Sequence, residues 1–205
     1  MLRDQAVRNF TNQILWQIDP DSVLLREHYH NLSQVEVRSL ALYAGLSAGV
    51  MMTSDDLGEL GEERLRLLKM ILNPERRSCR FPLLGEAINA YTVWTDFEHR
   101  QKVLRTIPDD PVLVQVRDLH TTPESGNKKQ MIGAVLFLNT GERSIQRSYP
   151  MKELGLPTPL HVFDWTNDYA WPNAVDVLPI IIAPYDCVLL FLSTELILAT
   201  PESLT

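Results

Sequence analysis

The sequence predicts an α+β protein: barrel-type βα units over residues 1–80, then an antiparallel β-sandwich over residues 81–205. Two observations carry this. The first 75 residues alternate helix-spaced apolar stretches with short apolar runs, the order that consecutive βα units produce. From about residue 81 the texture changes to strand-length runs separated by turn-rich pieces, with no long helical pattern among them. A complete (β/α)8 barrel needs about 250 residues, so the first part supplies a remnant of about two units.

In chain order, RDQAVRNFTNQIL (3–15) has Val7, Phe10, Ile14 and Leu15 at helical spacing. An Asp-Pro-Asp turn then leads into SVLLR (22–26), a short strand. Ser33 stands three residues before Glu36, the capping-box spacing, with Leu32 and Val37 placed for a hydrophobic staple. Val37, Leu40, Ala41 and Ala44 form one helical face, which Gly45 to Gly49 bring to an end. VMM (50–52) is a second short strand. Glu62 and Glu63 open another helix at its positive end, Leu65, Leu68 and Leu72 line its apolar side, and Asn73-Pro74 closes it.

The predicted sandwich strands are PVLVQVRDL (111–119), QMIGAVLFL (130–138), RSIQRSY (143–149), PLHVFDW (159–165), AVDVLPIII (174–182) and CVLLFL (187–192). TPESGNKK and NTGE are the turn-rich pieces between some of them.

Composition narrows the function classes. With 45% hydrophobic and 22% charged residues, the chain reads as globular. A net charge of −7 argues against a nucleic-acid partner, which needs a basic face to displace phosphate counterions. The longest apolar stretch is broken by Pro179, Pro184, Asp186 and Glu195, so it suits successive strands and not a membrane span. Cys79 and Cys187 have no metal-ligand spacing and fit reduced thiols. The start MLRDQAVRNF has no apolar signal core, which gives a cytoplasmic expectation.

Local chemistry is sparse. Asp19 and Asp21 flank a proline, and Asp55 and Asp56 precede a helical pattern; each pair reads first as turn or cap, second as a substrate rim or supporting contact. Adjacent strand residues point to opposite faces, which counts against Asp55 and Asp56 as one acid/base pair. His28 and His30 lack a third ligand, so no metal is expected there. Trp165, Tyr169 and Trp171, near Phe163, could stack on sugar rings or simply fill a core. No phosphate loop, nucleophile elbow or Cys/His dyad is present, and no cofactor is expected.

These features together resemble a known family. Residues 8–72 hold Trp16, Asp19-Pro20-Asp21, Arg26, Leu32-Ser33 with Glu36, and Ser54-Asp55-Asp56-Leu57. That series resembles the last part of the catalytic barrel in glycoside hydrolase family 36 α-galactosidases, and more broadly the clan (clan D) that also holds family 27. Residues 133–171, with Glu153-Leu154-Gly155-Leu156 and Phe163-Asp164-Trp165, resemble its C-terminal β-sandwich. Ile18 departs from the pattern, standing where the family has asparagine.

The resemblance implies a retaining glycoside hydrolase acting on α-galactoside-type carbohydrates between two aspartates. It also implies that both catalytic aspartates lie on earlier barrel strands, with no matching position here. Asp19, Asp21, Asp55 and Asp56 would then be rim residues, and this stretch alone would be inactive. Three readings stay open: a C-terminal fragment, one subunit of a split enzyme completed by a barrel-bearing chain, or a sugar-binding module using Trp165, Tyr169 and Trp171. An open barrel edge would also favour self-association.

Overall fold

The structure is a computed structural model and describes residues 2–19, 22–72, 78–84, 111–119 and 131–201. Among these, three α-helices come first: α1 (Leu2–Arg8), α2 (Gln34–Ser47) and α3 (Glu62–Ile71). Seven strands follow: β1 (Val112–Asp118), β2 (Met131–Asn139), β3 (Ile145–Pro150), β4 (His161–Asp164), β5 (Tyr169–Ala170), β6 (Val177–Ile182) and β7 (Cys187–Ser193).

The capping box forms as its spacing predicts. Glu36 N–H donates to the Ser33 hydroxyl at 3.3 Å, and Ser33 N–H donates to the Glu36 carboxylate at 2.8 Å. Those bonds satisfy amides that an α-helix leaves unpaired at its start. At the other end Ala48 adopts the left-handed conformation, with φ 53°, and its N–H reaches the Gly45 carbonyl. The second half of α2 is buried all round because α3 packs on one side and the sheet on another.

The predicted helix over 3–15 is shorter than its apolar spacing suggests. It stops at Arg8 and runs through a 3-10 turn into a tight loop in which Gln13 has φ 63°. Asparagine side chains compete with helical bonding here. Asn9 donates to the Cys79 carbonyl, Asn12 donates to the Ser47 carbonyl at 2.8 Å, and Ile18 N–H donates to Asn12 Oδ1 at 3.0 Å. Phe10, Ile14 and Leu15 are therefore left 76%, 79% and 68% exposed.

The two short strands predicted before and after α2 meet as a parallel pair. Val50 N–H donates to Ile18 O and Val23 N–H to Met52 O, both at 2.8 Å, with Ser22 bridging Met52. The pairing is confined to these few residues. Helix α2 is the crossover between the two segments, and α3 follows the second, so the βα order holds.

Helix α3 differs in rotation from the prediction. Its buried side carries Arg64, Leu67, Met70 and Ile71, whereas Leu65 and Leu68 sit at the margin and Leu72 is 54% exposed. Apolar residues occupy 65, 67, 68, 70, 71 and 72, so the pattern alone leaves the angle open. Contact with α2 decides it, since Ile71 lies directly against Gly45.

All six predicted sandwich strands form, and β5, only two residues long, is added to them. Antiparallel pairing gives one sheet in the order β1-β2-β7-β4-β5 and a second made of β3 and β6. Strands β1, β2 and β7 are buried along nearly their whole length because both sides of the larger sheet are covered. Leu113, Leu136, Leu189 and Phe191 pack with Leu42, Leu46, Leu67 and Met70 of the helices. Val114, Val135, Phe137 and Leu190 pack with Tyr149, Leu178, Ile180 and Ile182 of β3 and β6. Strand β6 alternates exposed and buried residues, as one outward-facing surface requires.

Polar bonds pin α2 to the sheet. Gln115 Nε2 donates to Tyr43 O at 3.2 Å and to Ser47 Oγ at 3.0 Å, and Arg117 Nη1 donates to Gly45 O at 3.2 Å. Arg38 and Asp186 form an ion pair at 2.7 Å. No described helix is long and apolar enough to cross a membrane.

Candidate functional site

In parallel βα architectures, ligands bind beyond the carboxyl ends of the strands. The parallel pair here places Arg26 beyond one strand end and Ser54-Asp55-Asp56 beyond the other. Arg26 Nη2 donates to Ser54 Oγ at 2.7 Å, and Arg26 Nε stands 2.8 Å from Asp55 Oδ1. The latter contact is an ion pair without the alignment of a hydrogen bond. Asp55 Oδ2 accepts from the Leu25 amide, and the Asp55 side chain is fully covered.

Asp56 points elsewhere. Its Oδ1 accepts from Gly58 N–H at 2.9 Å and caps the 3-10 turn Leu57–Glu59. The neighbouring acids thus have different tasks, as alternation along an extended segment requires. Asp19 is exposed beside Ile18, and Asp21 lies outside the described residues.

A cleft of about 230 Å3 opens over this clamp, with Glu27, His28, Asp56 and Glu59 on its rim. His30 supports the loop from behind. Its Nε2 lies 2.6 Å from Arg26 O, and Leu32 N–H donates to its Nδ1 at 3.2 Å. That pairing assigns the proton to Nε2, since Nδ1 must accept. Both ring nitrogens are engaged within the loop. Among the described residues, no three His, Cys, Asp or Glu side chains are grouped to hold a metal. The cleft can hydrogen-bond to hydroxyl groups, while the Asp55 side chain is covered, paired by charge with Arg26 and accepting the Leu25 amide.

The aromatic residues separate. Trp165 is buried toward the helices and donates from Nε1 to Pro201 O at 3.1 Å, with Arg66 lying 4.6 Å above its ring. Trp171 packs on the opposite face, among the β3–β6 cluster. Tyr169 is exposed in β5, across from Asp164. The turn between β4 and β5 imposes this split: Asn167 donates from its backbone to Asp164 Oδ1 at 3.0 Å and from its side chain to Oδ2 at 2.7 Å. The two thiols are sealed, and burial pushes Cys79 up to about 12 and Cys187 up to about 11.

Sequence reasoning read Arg26 only as a motif position and did not pair it with Asp55. The signal was the equal placement of both residues at the ends of short apolar runs.

No protein-family model matches the sequence, and no curated protein matches it. Solved structures do match the fold. A GH27 β-L-arabinopyranosidase from Geobacillus stearothermophilus superposes with a TM-score of 0.61 at 15% identity, over 94% of this chain and 41% of the enzyme. The α-galactosidase I of Mortierella vinacea gives 0.52 at 12% identity, over 84% of this chain and 38% of the enzyme. The chain spans about two fifths of the length of these structures. At such identities the likeness is one of fold: this chain has a glycosidase-like fold, similar to part of these GH27 and α-galactosidase structures.

Proposed function

We propose that this chain is the C-terminal portion of an α-galactosidase-like retaining glycoside hydrolase, contributing the last two βα units of its barrel and the β-sandwich behind them. The single observation that supports it most is the parallel pairing of Ile18, Ser22 and Val23 with Val50 and Met52 around α2, packed directly on the antiparallel sheets. The family 36-like motif series of the sequence is the finer part of the same reading.

A retaining glycosidase uses two carboxyl groups about 5–5.5 Å apart, one as nucleophile and one as acid/base. Asp55 is tied to Arg26 and Asp56 caps a turn, so neither is free for double displacement. On this reading the clamp shapes the rim of a sugar pocket whose catalytic acids come from other strands, and residues 1–205 alone do not hydrolyse. The preceding βα units would sit on the open flank of the parallel pair. Exposed Phe10, Ile14, Leu15 and Trp16 favour such a contact, whether the units precede this stretch in one polypeptide or come from a second chain.

The test is the native product in the source cells, captured with an antibody to residues 143–150 and sized by intact mass. Expected is a polypeptide much larger than 23.4 kDa, or a complex with a barrel-bearing chain, that cleaves p-nitrophenyl α-D-galactopyranoside. The purified 205-residue chain should not cleave it. Hydrolysis by that chain alone would overturn the reading, as would a solitary 23.4 kDa native product without activity.

A further inference from the structure

Between α2, the start of α3 and the turn after β4 lies a cavity of about 80 Å3, lined by Arg38, Glu63, Arg64, Arg66, Trp165 and Thr166. Three arginines and one glutamate thus line this space, together with Leu67. A buried cation is costly unless it is paired or hydrogen-bonded. Arg64 is 6% exposed as a residue and no hydrogen bond or ion pair reaches it among the described residues, while the sealed, unpartnered nitrogen at this cavity belongs to Arg38.

Its neighbours do not remedy this. Arg38 gives Nη2 to Asp186 at 2.7 Å, but its Nε is buried without an acceptor. Arg66 lies over the Trp165 ring and stands 3.5 Å from Asp168. Thr166 Oγ1 accepts from Leu189 N–H at 2.8 Å, which keeps its O–H available as a donor. Asp186 and Asp168 lie outside the lining. Glu63 is near enough to favour the charge on Arg38 but forms no ion pair with the three arginines.

We propose that this cavity binds a small free oxyanion, phosphate or sulfate, held chiefly by Arg64 with Arg38 Nε, Arg66 and the Thr166 hydroxyl. Its volume has room for a handful of waters, which suits one tetrahedral anion and excludes a large substituent on it. Guanidinium groups are well matched to such oxygens. Because its walls come from α2, α3 and the turn after β4, the bound anion fastens the helical layer to the sheet. The site is independent of the glycosidase reading.

The experiment titrates the whole 205-residue chain with sodium phosphate against sodium chloride at equal ionic strength, by calorimetry and thermal unfolding. Expected are saturable 1:1 binding and a rise in Tm following the linkage of ligand to the folded state. Arg64→Met should abolish the saturable heat, and Glu63→Gln should tighten binding severalfold. If wild type shows no saturable heat, or if Arg64→Met keeps an equal phosphate response, the effect is general salt exclusion and the proposal fails. Should Arg64→Met not fold, Arg66→Met at the exposed margin decides the matter: severalfold weaker binding supports the site, and unchanged affinity overturns it.

Discussion

Asp55 joins the ends of the two parallel segments, its Oδ1 standing 2.8 Å from Arg26 Nε while its Oδ2 receives the Leu25 amide. One carboxylate therefore accepts a backbone amide through Oδ2 and pairs by charge with a partly buried guanidinium through Oδ1. Arg26 is 30% exposed, so water softens the loss if the acid is removed. Asp55→Ala should cost about 1–3 kcal/mol in urea unfolding. Asp56→Ala removes only a turn cap and should cost less, about 0.5–1 kcal/mol. Equal losses at the two neighbours would show that the clamp contributes no more than the cap.

Gly45 of α2 lies directly against Ile71 of α3. A Cβ built there would stand 2.7 Å from Ile71 Cγ2 and 2.8 Å from Ile71 Cβ. Alanine normally favours a helix interior over glycine by about 1 kcal/mol. Overpacking opposes that gain by typically about 1–3 kcal/mol, and Ile71 Cα at 3.1 Å limits the escape. Gly45→Ala should thus lower stability, and the cost should shrink in an Ile71→Ala background. Additive losses in that double-mutant cycle would exclude the contact as the cause.

Burial of Cys79 and Cys187 has a signature in alkali. Their thiols ionise at about 12 and about 11 in the folded chain, against an ordinary value of 9.0. Above pH 9 the unfolded chain releases protons that the folded chain retains, so stability falls as pH rises toward 11–12. Tyr43, raised by burial as well, adds to the same trend. Urea midpoints should decline from pH 8 to pH 10.5, and Cys79→Ala should flatten the slope. A thiol reagent at pH 8 should label neither cysteine until urea unfolds the chain.

Much of this fold is written locally. Ser33 and Glu36 specify the start of α2 by their own side chains, and the six apolar runs are long enough to be strands. Two-residue β5 is too short to leave a pattern and exists because β4 offers a partner. The early helix forms but stops at Arg8, short of its predicted end, because Asn9 and Asn12 bond to residues 79 and 47, far away in sequence. The candidate site divides in the same way. The acids near the strand ends are visible in the motif, whereas the hold of Asp55 on Arg26 is a contact between separate βα units. The arginine-lined cavity leaves no trace in the sequence, because Arg38 and Arg64 meet Thr166 only once the layers are stacked.

The position of β7 has a bearing on how the chain is made. It lies between β2 and β4, yet it follows both in the chain and is the last of the described strands. During synthesis the β1–β2 and β4–β5 pairs emerge first, each with an unpaired edge facing a gap. Neither edge can be closed until residues 187–193 clear the ribosome, because β7 supplies partners to both. Until then the apolar edges of β2 and β4 are open to other chains, which makes the arrival of β7 the step that protects this sheet from misassembly.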